Sequence, residues 1–317
     1  MNKKVLVVGS LNYDMFFLID HFHRIGETLA AEDITIACGG KGANQAVQCA
    51  RLGLETYMAG CVGNDAAGVF LYESLAEQHV KIDYLKKADC VSGMSAVHAL
   101  KDGSVYSTIA AGANHRITME DIDRLVPLME DCAVVMLQLE IPVPVVIHAS
   151  KLAKENGCLV LLNAAPAVEV PEEMISGADV FIVNEVEASF YTNDIIDGVD
   201  KASEYILKLV ARYGSRVIFT LGKIGAVVGD GSRVLHIPSL DVPVVDTMGA
   251  GDSFVGGLAY SLVNGNNIFD AAEFASYCSA ATISGLGSQS SMPAIPEIEE
   301  LRMRMRIDYE RRVPRKH

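Results

Sequence analysis

No C-x-x-C pair occurs in this chain. Its seven cysteines (Cys38, Cys49, Cys61, Cys90, Cys132, Cys158, Cys278) are odd in number and scattered. That argues against a disulfide framework or a structural zinc site, and they read as small buried residues. Positive charge is also short: 26 Lys and Arg stand against 40 Asp and Glu, a formal net charge of −14. Such a surface repels phosphate backbones and anionic lipid, so neither nucleic acid nor membrane is expected as a main partner. A local positive pocket for a small anion is still allowed. No apolar stretch reaches the length of a membrane span. The apolar run after Met1 breaks at Gly9, too early for a signal peptide, and the expected location is the cytoplasm. No G-x-G-x-x-G follows the first apolar run, which disfavours a nicotinamide dehydrogenase. No H-E-x-x-H or G-x-S-x-G is present either.

What the chain does have is alternation of strand and helix. Short apolar runs (Val5 to Val8, Val134 to Leu137, Leu159 to Leu162, Val180 to Val183, Val217 to Leu221) have the pattern of parallel strands buried on both faces. Helical patterns lie between them, such as Val145 to Glu155, closed by Asn156-Gly157. The fold class is therefore α/β, built from βαβ units. Several runs end in polar residues or glycine: Gly9 to Asn12, Gln138 to Glu140, Asn163, Asn184, Thr220 to Gly222. Ligands of open α/β sheets bind beyond the carboxyl ends of the strands, so a polar site is expected along that edge. Met15 to Ala37 and Ser92 to Ala111 alternate with period two, with Asp102-Gly103 as a hairpin turn, and predict a small β-lid. Glu297 to Arg312 predicts a charged helix with a basic, solvated tail.

Four segments are candidates for chemistry. Asp246 to Phe254 contains Gly249-Ala250-Gly251-Asp252 at the start of a predicted helix. The N–H groups of Ala250, Gly251 and Asp252 would face an anion, which suits a transferring phosphoryl group. Asp252 would accept the proton of an attacking hydroxyl; the competing reading is a plain helix cap. Gly39-Gly40-Lys41-Gly42-Ala43-Asn44-Gln45 allows close backbone contact with a polar ligand and is not a Walker A loop. Asn12 and Asp14, two apart in an extended chain, point the same way and could hold the hydroxyls of a polyol. Asn184-Glu185-Val186-Glu187 offers oxygen donors for magnesium or for phosphates, or else is an acidic helix start.

Together with Ala111 to Asn114, Leu137 to Glu140, Asn163 to Ala167 and Thr220 to Gly222, these segments resemble, in order, the motifs of the ribokinase (PfkB) family of carbohydrate kinases. The likeness runs to about Pro293. The resemblance implies a Rossmann-type αβα sandwich with a mostly parallel sheet over residues 1–300. It implies a lid from about 12–38 and 91–111, leaving 301–317 as helix and tail. It implies ATP-dependent phosphorylation of the primary hydroxyl (O5) of D-ribose or a related sugar, with Asp252 as base and Gly249, Ala250 and Gly251 as anion hole. Sugar-holding positions would be Asn12, Asp14, Gly40, Lys41, Asn44, Glu140 and Asp252. Nucleotide and magnesium positions would be Asn184, Glu187, Thr220, Gly222, Gly251 and Ser276. A potassium ion would sit at Asp246, Met248, Thr282, Gly285, Gly287 and Ser291, and a homodimer would form through the lid. Ser95 and Val97 line the lid face expected to fit the sugar. They leave deoxyribose, fructose, adenosine or pseudouridine open as alternatives, with a non-catalytic sugar-binding protein as a more distant one.

Overall fold

The computed structural model describes residues 4–101 and 104–312. The main sheet holds nine strands, numbered in chain order: β1 (Lys4–Val8), β4 (Glu55–Gly63), β5 (Lys81–Ala88), β8 (Cys132–Gln138), β9 (Leu159–Asn163), β10 (Val180–Asn184), β11 (Arg216–Thr220), β12 (Gly225–Gly229) and β13 (Val234–Pro238). Their order is β13-β12-β11-β10-β9-β8-β1-β4-β5. Pairing is parallel from β11 to β5, while β12 and β13 add an antiparallel edge. Helices cover both faces, which is why the parallel strands read as unbroken apolar runs. Leu6, Val8, Val135, Leu137, Phe181 and Val183 belong to one core. Val5, Val7, Val134, Met136, Val180 and Ile182 belong to the other. The chain winds outward from β1 to β5, then resumes on the far side of β1 at β8, so the order reverses between β1 and β8. The crevice beyond the strand ends at such a reversal is where α/β sheets bind ligands.

The predicted lid is a second sheet, β3-β2-β6-β7, made of β2 (Asn12–Leu18), β3 (Asp33–Gly39), β6 (Gly93–Ala99) and β7 (Val105–Ala110). The predicted Asp102-Gly103 turn lies outside the described residues. The five predicted strands are present, with small shifts: β8 begins at Cys132, and β11 closes at Thr220. Ahead of the Asp246 segment, Leu240 to Val245 form no strand. They are a loop tied down where the Val245 N–H donates to the Ile283 carbonyl (2.8 Å). The last helix spans Ile295–Arg312, and Ile298 and Leu301 are buried. Position 301 therefore falls inside this helix, and residues 313–317 lie outside the described part. Among the described residues no helix is long and apolar enough to cross a membrane.

Candidate active site

The helix Ala250–Val263 begins at Gly249, whose φ of 76° places it in the left-handed region. Glycine adopts that conformation without a Cβ penalty. Asp252 sits in the first turn and is buried, but its carboxylate does not cap its own helix. It points instead toward the helix Lys41–Arg51. There Asn44 Nδ2 donates to its Oδ2 (2.9 Å) and Gln45 Nε2 to its Oδ1 (3.0 Å). Both amides are themselves held. Gln45 Oε1 accepts from Gln138 Nε2 (2.6 Å), and Asn44 Oδ1 accepts from Gln289 Nε2 (3.0 Å). Burial pushes the Asp252 carboxyl up from its ordinary value; Lys41, Asn44 and Gln45 work against it. Of the three N–H groups expected to face an anion, that of Ala250 already donates weakly to the Thr247 carbonyl (3.4 Å). Those of Gly251 and Asp252 remain at the helix tip.

The N-terminal motifs converge on the same place. The Glu140 carboxylate accepts from the Ser10 hydroxyl and from the Lys41 N–H (3.0 Å). The Gly40 carbonyl accepts from the Asn44 N–H (2.9 Å) at the start of the helix. Burial works against charge on the Lys41 ammonium, yet Asp252, Glu140 and Glu187 outweigh it and hold its pKa above the ordinary value. On the lid, Asn12 Oδ1 accepts from Asn114 Nδ2 (2.8 Å), leaving its own amide hydrogens for other partners. Asp14 is pushed up to about 6, chiefly by burial; Ser95 lowers it, while Glu140 and Asp252 push the same way as burial. Asn12, Asp14, Gly40, Lys41, Asn44, Glu140 and Asp252 are thus brought into one cluster.

At the next strand ends, Asn184 and Glu187 form a capping box on the helix Glu185–Thr192. Asn184 Oδ1 accepts from the N–H groups of Val186 (2.8 Å) and Glu187 (3.0 Å), and Glu187 Oε2 from that of Asn184 (3.2 Å). The acidic helix start, the alternative reading of this segment, is therefore what the pair forms. Glu187 nonetheless stays buried and within electrostatic reach of Lys41. Thr220 lies beside Asn184 in the β10–β11 register, and Gly222 opens the turn that follows. Ser276 stands apart. Its hydroxyl donates to the Ala272 carbonyl (3.0 Å), and it lines a cavity of about 390 Å³ with Arg233, His236, Phe269 and Tyr277.

The six positions expected around a monovalent cation form one loop cluster. Asp246 accepts from the N–H groups of Met248 and Gly287 (3.0 Å each), Thr282 O from that of Gly285 (3.1 Å), and Gly287 O from the Ser291 hydroxyl. These positions offer backbone carbonyls, the hydroxyls of Thr282 and Ser291 and the single carboxylate of Asp246, all hard oxygen donors. Thr282 Oγ1 donates to Ser253 Oγ (2.8 Å), which donates to Gln48 Oε1 (2.7 Å), so this cluster is tied to both helices of the site. Gln45, Gln138, Gln289 and Asn114 carry roles the sequence reading did not assign. Gln45 and Gln138 lay inside motifs already singled out, and polar residues buried in apolar elements were their only signal. Gln289 gave none.

A family model described as pfkB family carbohydrate kinase matches residues 2–295. The chain belongs to this family of carbohydrate kinases. Within it, a ribokinase of Staphylococcus aureus (strain COL) is 32% identical over 309 residues, covering 95% of this chain and 100% of the relative. A deoxyribokinase of Salmonella typhi is 34% identical over 298 residues, covering 93% and 97%. The structure of Arabidopsis thaliana ribokinase complexed with ribose and ATP superposes with a TM-score of 0.87 at 29% identity, covering 95% of this chain and 99% of that one. The expected α/β architecture and family are both borne out.

Proposed function

We propose that this kinase transfers the γ-phosphoryl group of ATP to the primary hydroxyl, O5, of D-ribose or a closely related pentose. One observation carries the reading. The Asp252 carboxylate, held by two locked amides at a helix tip, shares a cluster with Lys41, Glu140 and Asp14. Asn12, Asp14, Gly40, Lys41, Asn44 and Glu140 would bind and orient the sugar. Asp252 would take the O5 proton as the O5–phosphorus bond forms. The bond from phosphorus to the bridging oxygen breaks, and ADP leaves with that electron pair. The N–H groups of Gly251 and Asp252, with the helix dipole, face the charge on the phosphoryl oxygens. A side chain at Gly251 would meet only open space, so packing does not call for glycine there, and the bare backbone would let a phosphoryl group approach closely.

Asn184, Glu187, Thr220, Gly222 and Ser276 are the proposed nucleotide side. Glu187, with one oxygen in its cap, fits magnesium only through water; the metal would neutralise phosphate charge. The Asp246 cluster (Asp246, Met248, Thr282, Gly285, Gly287, Ser291) would hold potassium and so steady the loop. We also propose a homodimer through the lid. Ile34, Ile36 and Tyr106 share its outward face and are 52%, 45% and 64% exposed. The cytoplasm, with its ATP, is the proposed location, and residues 1–300 with their lid the proposed catalytic unit.

The deoxyribokinase relative favours deoxyribose as the second candidate substrate. The test is ADP formation against ribose, deoxyribose, fructose, adenosine and pseudouridine, with and without potassium. A pentose should give the highest kcat/KM. Ribose binding without phosphate transfer to any acceptor would leave a sugar-binding protein on a kinase fold instead.

A further inference from the structure

Strands β2 and β6 place Asp14 opposite Ser95 on the lid face that looks into the site. Ser95 Oγ donates to Asp14 Oδ1 (2.6 Å), and Ser95 is only 5% exposed. An ionised carboxylate can only accept, so the serine proton is committed to this bond. The other oxygen, Oδ2, lies over Gly39, where a Cβ would stand 1.8 Å away. One Asp14 oxygen therefore has a fixed donor from β6 before any sugar arrives, and the other occupies space that only a glycine at position 39 leaves open. Val97, two residues along β6 on the same face, adds only methyl groups.

We infer that Ser95 is a specificity-determining residue, which loosens the demand of the site for a full set of sugar hydroxyls and lets the chain accept a deoxypentose alongside ribose. The inference rests on the proposed role of Asp14 in holding sugar hydroxyls. A site rejects an analogue lacking one hydroxyl chiefly because its own buried polar groups are then left unpaired. Here Asp14 keeps a permanent partner. Losing one sugar hydroxyl strands only part of its carboxylate. Without Ser95, the same loss would strand far more of it.

The experiment compares kcat/KM for D-ribose and 2-deoxy-D-ribose in the wild-type chain, Ser95→Ala and Ser95→Thr. The wild type should use both sugars, within about a hundredfold of one another. Ser95→Ala should raise the ribose-to-deoxyribose ratio roughly 5–30-fold, and Ser95→Thr, which keeps the hydroxyl, should restore the wild-type ratio. If Ser95→Ala does not fold, Ser95→Cys keeps the size with a weak donor and should move the ratio in the same direction. A ratio unmoved or lowered, with ribose still turned over, overturns this inference alone. A wild-type chain that phosphorylates neither pentose overturns the kinase reading and this inference together.

Discussion

Replacing Asp252 by asparagine exchanges one oxygen for an NH2 group and tests the proposed base with little change in shape. In the native site both carboxylate oxygens receive amide donors, from Asn44 and Gln45. Whichever way the new amide turns, its NH2 faces one of them. Neither neighbour is free to flip in response, because Gln138 donates to Gln45 Oε1 and Gln289 donates to Asn44 Oδ1. One opposed donor pair therefore persists, at a cost of about 1–3 kcal/mol in stability. Removing a buried negative charge offsets part of that cost, while Lys41 loses its largest favourable charge partner. The chemical loss is separate. General-base help contributes about 10²–10⁴ in rate, roughly 3–5 kcal/mol in the barrier. We therefore expect kcat in a coupled ADP assay to fall about 10²–10⁴-fold. Affinity for ATP, measured by calorimetry, should change only a few-fold. A folded Asp252→Asn enzyme whose kcat lies within tenfold of wild type would refute the assignment of Asp252 as base.

Four further outcomes follow from the same site. Asp14 has its folded-state pKa raised to about 6, so kcat/KM for the sugar should drop as pH falls through 6 and the carboxylate gains a proton. The linked stability effect has the opposite sense: ionised Asp14 weakens the fold, a penalty absent below about pH 4 and complete above 6. Asp14→Asn should therefore gain stability relative to wild type as pH rises from 4 to 8, by up to roughly 3 kcal/mol in chemical denaturation; a difference that does not vary with pH would contradict this. Gly39→Ala would drive a methyl into Asp14 Oδ2, so KM for the sugar should rise at least about tenfold with KM for ATP steady. Gln45→Met removes a donor that lowers the Asp252 pKa, so kcat should fall about tenfold and the acidic limb of its pH profile should move up; a loss of kcat with an unmoved limb would mean Gln45 only supports packing.

The architecture was legible because its signals are local and repeated. Val5 to Val8 and Val180 to Val183 are apolar on every residue, a pattern that a strand covered on both faces demands and a half-exposed strand does not. The lid was legible from period-two alternation around Met94 to Ala99. The catalytic end was legible in outline from Gly249 to Asp252, but the partners of Asp252 were not. Which amides meet its oxygens depends on how two helices 200 residues apart are rotated against each other, and nothing in either segment records that angle. Asn184 and Glu187 show the opposite case: an acidic helix start can serve a metal as well as a cap, and the sequence alone did not show that three hydrogen bonds close a capping box there. Ser276 marks a third limit. Its helix, Ile268–Ile283, was not singled out in the sequence, and the cavity it lines also needs β13, which carried no signal of its own.

Asn44 and Asp252 are 208 positions apart, and Gln48 adds a further tie by donating to the Pro293 carbonyl, 245 positions away. During synthesis, then, the nascent polypeptide can complete β1 and the lid long before the carboxylate that would act on a sugar has left the ribosome. The 142 positions from the end of the lid at Ala110 to Asp252 take, at about five to twenty residues per second, on the order of seven to thirty seconds. Through that interval neither substrate has an assembled pocket to stabilise, so any benefit of ligand to maturation begins only once the last helices have docked.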